Sequence, residues 1–180
     1  MKVTSTELPG VLLIAPDLYG DERGFFVETF QVQRYLAAAG IEPSFVQDNH
    51  SRSRRGVLRG LHFQRARPQG KLVRVARGEV FDVAADIEPK SPTFGRWVGA
   101  VLSDGNHHQH WIPPGYAHGF LVLSEVADFE YKCTDYYDPK SEAGVVWNDP
   151  DLRIAWPIAD PTLSAKDLRL PTLAELRRGS

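Results

Sequence analysis

Between Gly56 and Lys71 four polar side chains, Arg59, His62, Gln64 and Lys71, are set among Leu58, Leu61 and Phe63. The apolar residues call for a packed sheet. Burying a cation in such a sheet costs several kcal/mol unless it is paired or meets an anionic ligand. Polar groups flanked by apolar ones therefore suggest a lined pocket. His62 is its most useful member, because an imidazole titrates near neutrality and can take and return a proton without a cofactor. The competing reading is a core histidine donating to a backbone carbonyl.

Other residues fit the same picture. Lys71 is in phase with Val73 and Val75 by the period of two of a strand, so it either caps the strand end or points into a cavity. Tyr131 is in phase with Phe129 and Cys133 and is expected to face inward, as a packing residue or as a proton donor. His118 follows the rigid turn Pro113-Pro114-Gly115 and opens a strand, a position suited to the mouth of a barrel. Arg59 and His62 are three apart, which in a regular strand sends them to opposite faces. If both line one pocket, Gly60 should mark a bulge or twist. The cluster His107-His108-Gln109-His110 invites a metal reading. It follows the turn Ser103-Asp104-Gly105-Asn106 and has no nearby Cys or Glu, so it reads as a solvated turn.

The elements that must position these groups are mostly short strands. Val11–Ile14 and Gly24–Phe30 read as strands separated by a turn region. Gln31–Ala39 reads as a helix, with Ala37-Ala38-Ala39 favouring it and Gly40 placed to end it. Phe45–His50 is a further strand. From Gly56 to about Trp147 the runs are 57–64, 71–76, 80–87, 97–102, 110–112, 119–123 and 129–135, parted by Gly, Pro, Asn and Asp. Short strands at this spacing without intervening helices predict an all-β sandwich or jelly-roll barrel with short peripheral helices. The tail is proline-rich and then weakly helical over 173–178.

The chain has 180 residues, enough for one well-buried core and too few for two ordinary domains, so a single domain over 1–180 is expected. Its net charge of −2 and pI near 6.3 argue against binding nucleic acid or membranes through bulk positive charge. No apolar run approaches the ~20 residues of a membrane span. The first ten residues lack the apolar core of a signal peptide. Cys133 is the one cysteine, which leaves no internal disulfide and no cysteine-rich zinc site. A soluble cytoplasmic protein is the expectation.

Several ordered blocks together resemble the dTDP-4-dehydrorhamnose 3,5-epimerases. They are Leu58-Arg59-Gly60-Leu61-His62-Phe63-Gln64, Gln69-Gly70-Lys71-Leu72-Val73-Arg74-Val75 and Gly78-Glu79-Val80-Phe81-Asp82-Val83. Trp111-Ile112-Pro113-Pro114-Gly115, Ala117-His118-Gly119-Phe120 and Tyr131-Lys132-Cys133-Thr134-Asp135-Tyr136-Tyr137 continue the series. Arg23-Gly24-Phe25-Phe26, Gln47-Asp48-Asn49, Trp147-Asn148-Asp149-Pro150 and Leu163-Ser164-Ala165-Lys166-Asp167 extend it to nearly the whole chain.

The resemblance implies a cupin-type jelly roll, acting as a homodimer, that inverts stereocentres on a dTDP-linked 4-keto-6-deoxyhexose. It makes His62 the base, Asp167 the group that orients it, Lys71 the partner of the C4 oxygen and Tyr131 the proton donor on the opposite side. It further implies substrate contacts from Arg59 at the pyrophosphate and from Gln47, Asn49, His118 and Trp147. Arg23, Phe26 and Glu28 would be lent to the neighbouring subunit's site. No metal and no nicotinamide cofactor is implied, and the His-x-His plus Glu set of metal-binding cupins is absent around His62. Three alternatives remain: an epimerase acting on C3 or C5 alone, a metal-dependent cupin oxygenase or isomerase, and a non-catalytic sugar-nucleotide-binding cupin.

Overall fold

The structure, a computed structural model, describes residues 1–42 and 44–178. The strands are Lys2–Ser5 (β1), Leu12–Ala15 (β2), Leu18–Asp21 (β3), Gly24–Val27 (β4), Gln47–Arg54 (β5), Leu58–Gln64 (β6) and Lys71–Arg77 (β7). Glu79–Asp86 (β8), Trp97–Ser103 (β9), Gln109–Ile112 (β10), Tyr116–Val122 (β11), Val126–Cys133 (β12) and Glu142–Gly144 (β13) follow. Two short helices, Val32–Ala39 (α1) and Leu173–Arg178 (α2), lie outside the sheets.

Two antiparallel sheets carry the molecule, one ordered β1-β2-β10-β7-β12-β5 and the other β13-β6-β11-β8-β9. Their inner faces meet on Val73, Val75, Phe129, Val80, Leu102, Phe120 and Val122. Phe120 from one sheet stacks on Phe129 from the other at 4.0 Å between centroids. Each buried side chain of that size contributes roughly 1.5–3 kcal/mol of burial free energy. The outer face of the six-stranded sheet is covered by the α1 segment through Tyr35 and Ile41 against Ile14, Leu72 and Trp111. The chain's tail, through Leu152, Leu173 and Leu176, covers Leu61, Val83 and Ala85 on the other sheet. This is the expected all-β jelly roll with short peripheral helices.

Local chemistry explains the elements. Gln31 caps α1, its side-chain oxygen accepting from Arg34 N, and Gly40 closes the helix at φ 64°, a conformation that costs glycine little. The sequence expectation for this helix is met. Two differences are instructive. The turn region before Gly24 is itself a strand, β3, which pairs with β4 as a separate hairpin. The predicted solvated turn at His107–His110 is also corrected, because Gln109 and His110 open β10 and are buried. β10 lies between β2 and β7, and that central place draws its side chains inward whatever their polarity. Among the described residues no helix is long and apolar enough to cross a membrane.

Candidate active site

The bulge at Gly60 lets Arg59 and His62 share a face. In the pairing of β6 with β11, His62 faces His118 and Arg59 faces Phe120, so three steps on one strand match two on the other. The extra residue falls at Gly60, whose φ is 125°. A Cβ there would stand 2.6 Å from Gly119 Cα and 2.8 Å from His118 O, so only glycine fits the close approach of the two strands. The bulge restores the phase that a regular strand would have lost. His62, His118 and Arg59 all line the inner cavity.

The opposite wall comes from the six-stranded sheet. Lys71 is paired with Cys133 and Tyr131 with Asn49 and Val73, so Lys71, Tyr131 and Asn49 lie on one face by strand register. Gln47 pairs with Cys133 and joins them. The resulting cavity, about 410 Å³, is lined by Arg59, His62, Lys71, His118, Tyr131, Glu142, Lys166 and Asp167 among others. A second space of about 310 Å³ shares His62, Lys71, Tyr131 and Glu142 with it and adds Gln47, Asn49 and Tyr137.

Within this cavity His62 and Asp167 form a dyad. Nε2 of His62 lies 2.6 Å from Oδ1 of Asp167, with His62 29% exposed and Asp167 5%. A carboxylate accepts only, so Nε2 donates and Nδ1 keeps its lone pair for a substrate proton. Burial alone would raise the Asp167 carboxyl, but the bond and charge of His62, the Ser164 hydroxyl and the Gly60 N–H together hold it below the usual range. The dyad's carboxylate therefore stays charged and fixes the ring's orientation.

The Lys71 ammonium makes no hydrogen bond or ion pair among the described residues. Burial pushes its ammonium below the ordinary lysine value, while Cys133, Asp82 and Glu142 favour its charge. A desolvated cation without a protein partner suits an anionic ligand. Tyr131 is partly buried and its phenol is raised by burial, so it holds its proton at neutral pH. Among the described residues Arg59 uses only Nε internally, donating to Ser53 Oγ at 3.1 Å, which leaves its terminal nitrogens for an anion. His118 donates from Nε2 to the buried Asp82.

Other residues named from the sequence lie elsewhere. Arg23 and Phe26 stand on the exposed β3–β4 hairpin, Arg23 paired with Asp21 and Phe26 67% exposed. Glu28 pairs with Arg34. None of the three lines this chain's cavity. Trp147 is also outside it; its carbonyl accepts from Trp156 Nε1 at 2.8 Å.

Conversely, Glu142 and Lys166 line the cavity without having been singled out. Glu142 accepts from Lys166 Nζ and from Tyr137 Oη, and its bond drives the Tyr137 phenol up to about 12. Both sit in segments rich in Pro, Ser and Asp that read as loops, so no strand phase pointed to them. Lys166 does fall in the block that ends at Asp167, and that adjacency was the signal available.

Residues 5–175 match the family model described as dTDP-4-dehydrorhamnose 3,5-epimerase. A dTDP-4-dehydrorhamnose 3,5-epimerase of Pseudomonas aeruginosa is 57% identical over 168 residues, covering 93% of each chain. One of Escherichia coli is 54% identical over 180 residues, covering 99% of this chain and 97% of its own. A crystal structure of a dTDP-6-deoxy-D-glucose-3,5-epimerase from Legionella pneumophila in complex with dTDP-4-keto-L-rhamnose superposes with a TM-score of 0.94. It is 55% identical and the match covers 96% of this chain and 93% of that one.

Proposed function

Because this chain belongs to the dTDP-4-dehydrorhamnose 3,5-epimerase family, we propose a residue-level account of how its cavity performs that reaction. The reaction inverts C3 and C5 of dTDP-4-dehydro-6-deoxy-D-glucose and gives dTDP-4-dehydro-L-rhamnose. A carbon beside the C4 ketone can lose its proton because the enolate spreads charge onto oxygen. His62 takes that proton through Nδ1, oriented by Asp167. The Lys71 ammonium faces the C4 oxygen as its charge develops, and Tyr131 returns a proton to the carbon from the other sheet. The observation that supports these roles most directly is His62 on the five-stranded sheet, bonded to Asp167 of the C-terminal segment, facing Lys71 and Tyr131 on the other sheet within one cavity.

Arg59 takes the pyrophosphate, with Gln47, Asn49 and His118 as further polar contacts, and Glu142 and Lys166 closing the rim. Trp147 packs by the thymidine. We take residues 1–180 as one domain and the working unit as a homodimer, with Arg23, Phe26 and Glu28 reaching the neighbour's site. Support for the dimer comes from the hairpin itself: Tyr19, Phe25 and Phe26 are each more than 60% exposed and lie outside their own cavity. A nucleotide-linked substrate and the free Cys133 support a cytoplasmic setting.

The deciding experiment is proton exchange in heavy water with dTDP-4-dehydro-6-deoxy-D-glucose, followed by NMR. The expected result is deuterium at both C3 and C5 with the L-sugar accumulating. Deuterium at one carbon alone would identify a single epimerase, and exchange at neither would remove the catalytic reading. Tyr131→Phe separates the two half-reactions. Epimerised product should fall about 10²-fold, the scale of one lost general acid, while exchange falls less, since deprotonation comes first. An equal fall in both would take the proton-donor role from Tyr131.

A further inference from the structure

Asp82 is the centre of a cluster that the reaction uses only in part. Its carboxylate is fully buried, and a buried carboxylate is costly unless its oxygens are satisfied. Oδ2 accepts from His118 Nε2 at 2.7 Å, and Oδ1 accepts from His110 Nδ1 at 2.8 Å. His118 stands on β11 in the five-stranded sheet and lines the cavity. His110 stands on β10 in the six-stranded sheet, is 1% exposed and does not line it. The other ring nitrogen of His110, Nε2, is buried without a hydrogen-bond partner among the described residues. An aliphatic side chain here would carry no unpaired nitrogen but would strip Oδ1 of Asp82 of its donor, so what His110 contributes lies in its bond to Asp82.

That bond has a consequence at the cavity. Three groups bear on the carboxylate: His110 from β10, His118 from β11 and the Lys71 ammonium from β7. Left with one bond, the carboxylate could turn about its Cβ–Cγ axis and carry the His118 ring with it. With His110 on Oδ1, Oδ2 has one orientation, and the carboxylate has no proton to give. His118 must donate from Nε2 and keep Nδ1 as an acceptor.

We propose that His110 is a positioning residue for the epimerisation, anchoring Asp82 from the opposite sheet and thereby fixing the ring and tautomer of His118 beside the substrate. The inference rests on reading the cavity as the sugar-nucleotide site. Its test combines kinetics with the ¹⁵N NMR signature of His118 in the substrate-free protein. In the wild type His118 should be a single Nε2–H tautomer. His110→Leu should give a mixture of tautomers and a kcat lowered about five- to tenfold, the scale of one net hydrogen bond, with KM little changed. His110→Asn, whose amide N–H can take the place of Nδ1–H, should restore both.

An unchanged kcat and tautomer in His110→Leu would overturn the proposal. Should neither variant fold, the wild-type spectrum still decides, since an Nδ1–H tautomer for His118 would also overturn it. A wild type with the expected tautomer that fails to turn over the sugar nucleotide would refute the reading of the cavity and leave the anchoring intact.

Discussion

His62→Ala should lower turnover by about 10³-fold or more, the upper range for loss of a positioned general base, while dTDP binding stays within a few fold. The separation follows from the layout. His62 is held by Asp167, whereas Arg59, the residue proposed for the pyrophosphate, is held separately through Ser53. Deuterium exchange at C3 and C5 should vanish together with product, because both depend on the same abstraction. Residual activity within tenfold of wild type would remove His62 as the base. The substitution should cost little stability, since the ring is partly exposed and Asp167 keeps its bonds to Ser164 and the Gly60 N–H.

Lys71→Met should lower kcat about 10²- to 10³-fold, the scale of removing one donor to a developing oxyanion, and at the same time raise Tm. The opposite signs are the test. Lys71 is a desolvated cation without an ion pair among the described residues, so a methionine of similar length relieves a cost in the folded state. For a chain of this size each kcal/mol gained moves Tm by roughly 2–4 °C. A pH signature accompanies it. Native Lys71 releases its proton below the ordinary lysine value, so between its native and unfolded pKa values the unfolded chain binds more protons and stability rises with pH. That rise should disappear in Lys71→Met. Lost activity with a lowered Tm would recast Lys71 as a structural brace, and full activity would end its role at the enolate.

How far the sequence foretold this site depends on what each residue's position is decided by. A period of two in one strand already separates inside from outside, which made Tyr131 legible as inward and narrowed Lys71 to a strand-end cap or a cavity residue. Gly60 was legible through a conflict: Arg59 and His62 could share a pocket only if the strand carried an extra residue, and it does. Helix α1 was legible through Ala37-Ala38-Ala39 and Gly40, which act within a few residues. His110 was not, because its burial depends on Asp82, twenty-eight positions away on another sheet. Glu142 escaped for a related reason. Its strand has three residues, too few for a phase, and exists because β6 offers an edge for it to pair with. The blocks that resemble the epimerase family supplied the roles that no local pattern could assign.

The placement of His62 and Tyr131 on different sheets bears on how one base could serve two carbons. In the D-gluco ring the hydrogens on C3 and C5 are both axial and project from the same side, one on either flank of C4. On the proposed roles, with C4 at Lys71 and the base on the five-stranded sheet, both hydrogens would point toward that sheet and the vacated lobes of both carbons toward the six-stranded one. The sugar would then need only to rock about its carbonyl to bring each hydrogen to the imidazole, without turning over. Product handedness is thus a property of the layering itself: any proton that leaves toward one sheet and returns from the other inverts the carbon it crosses.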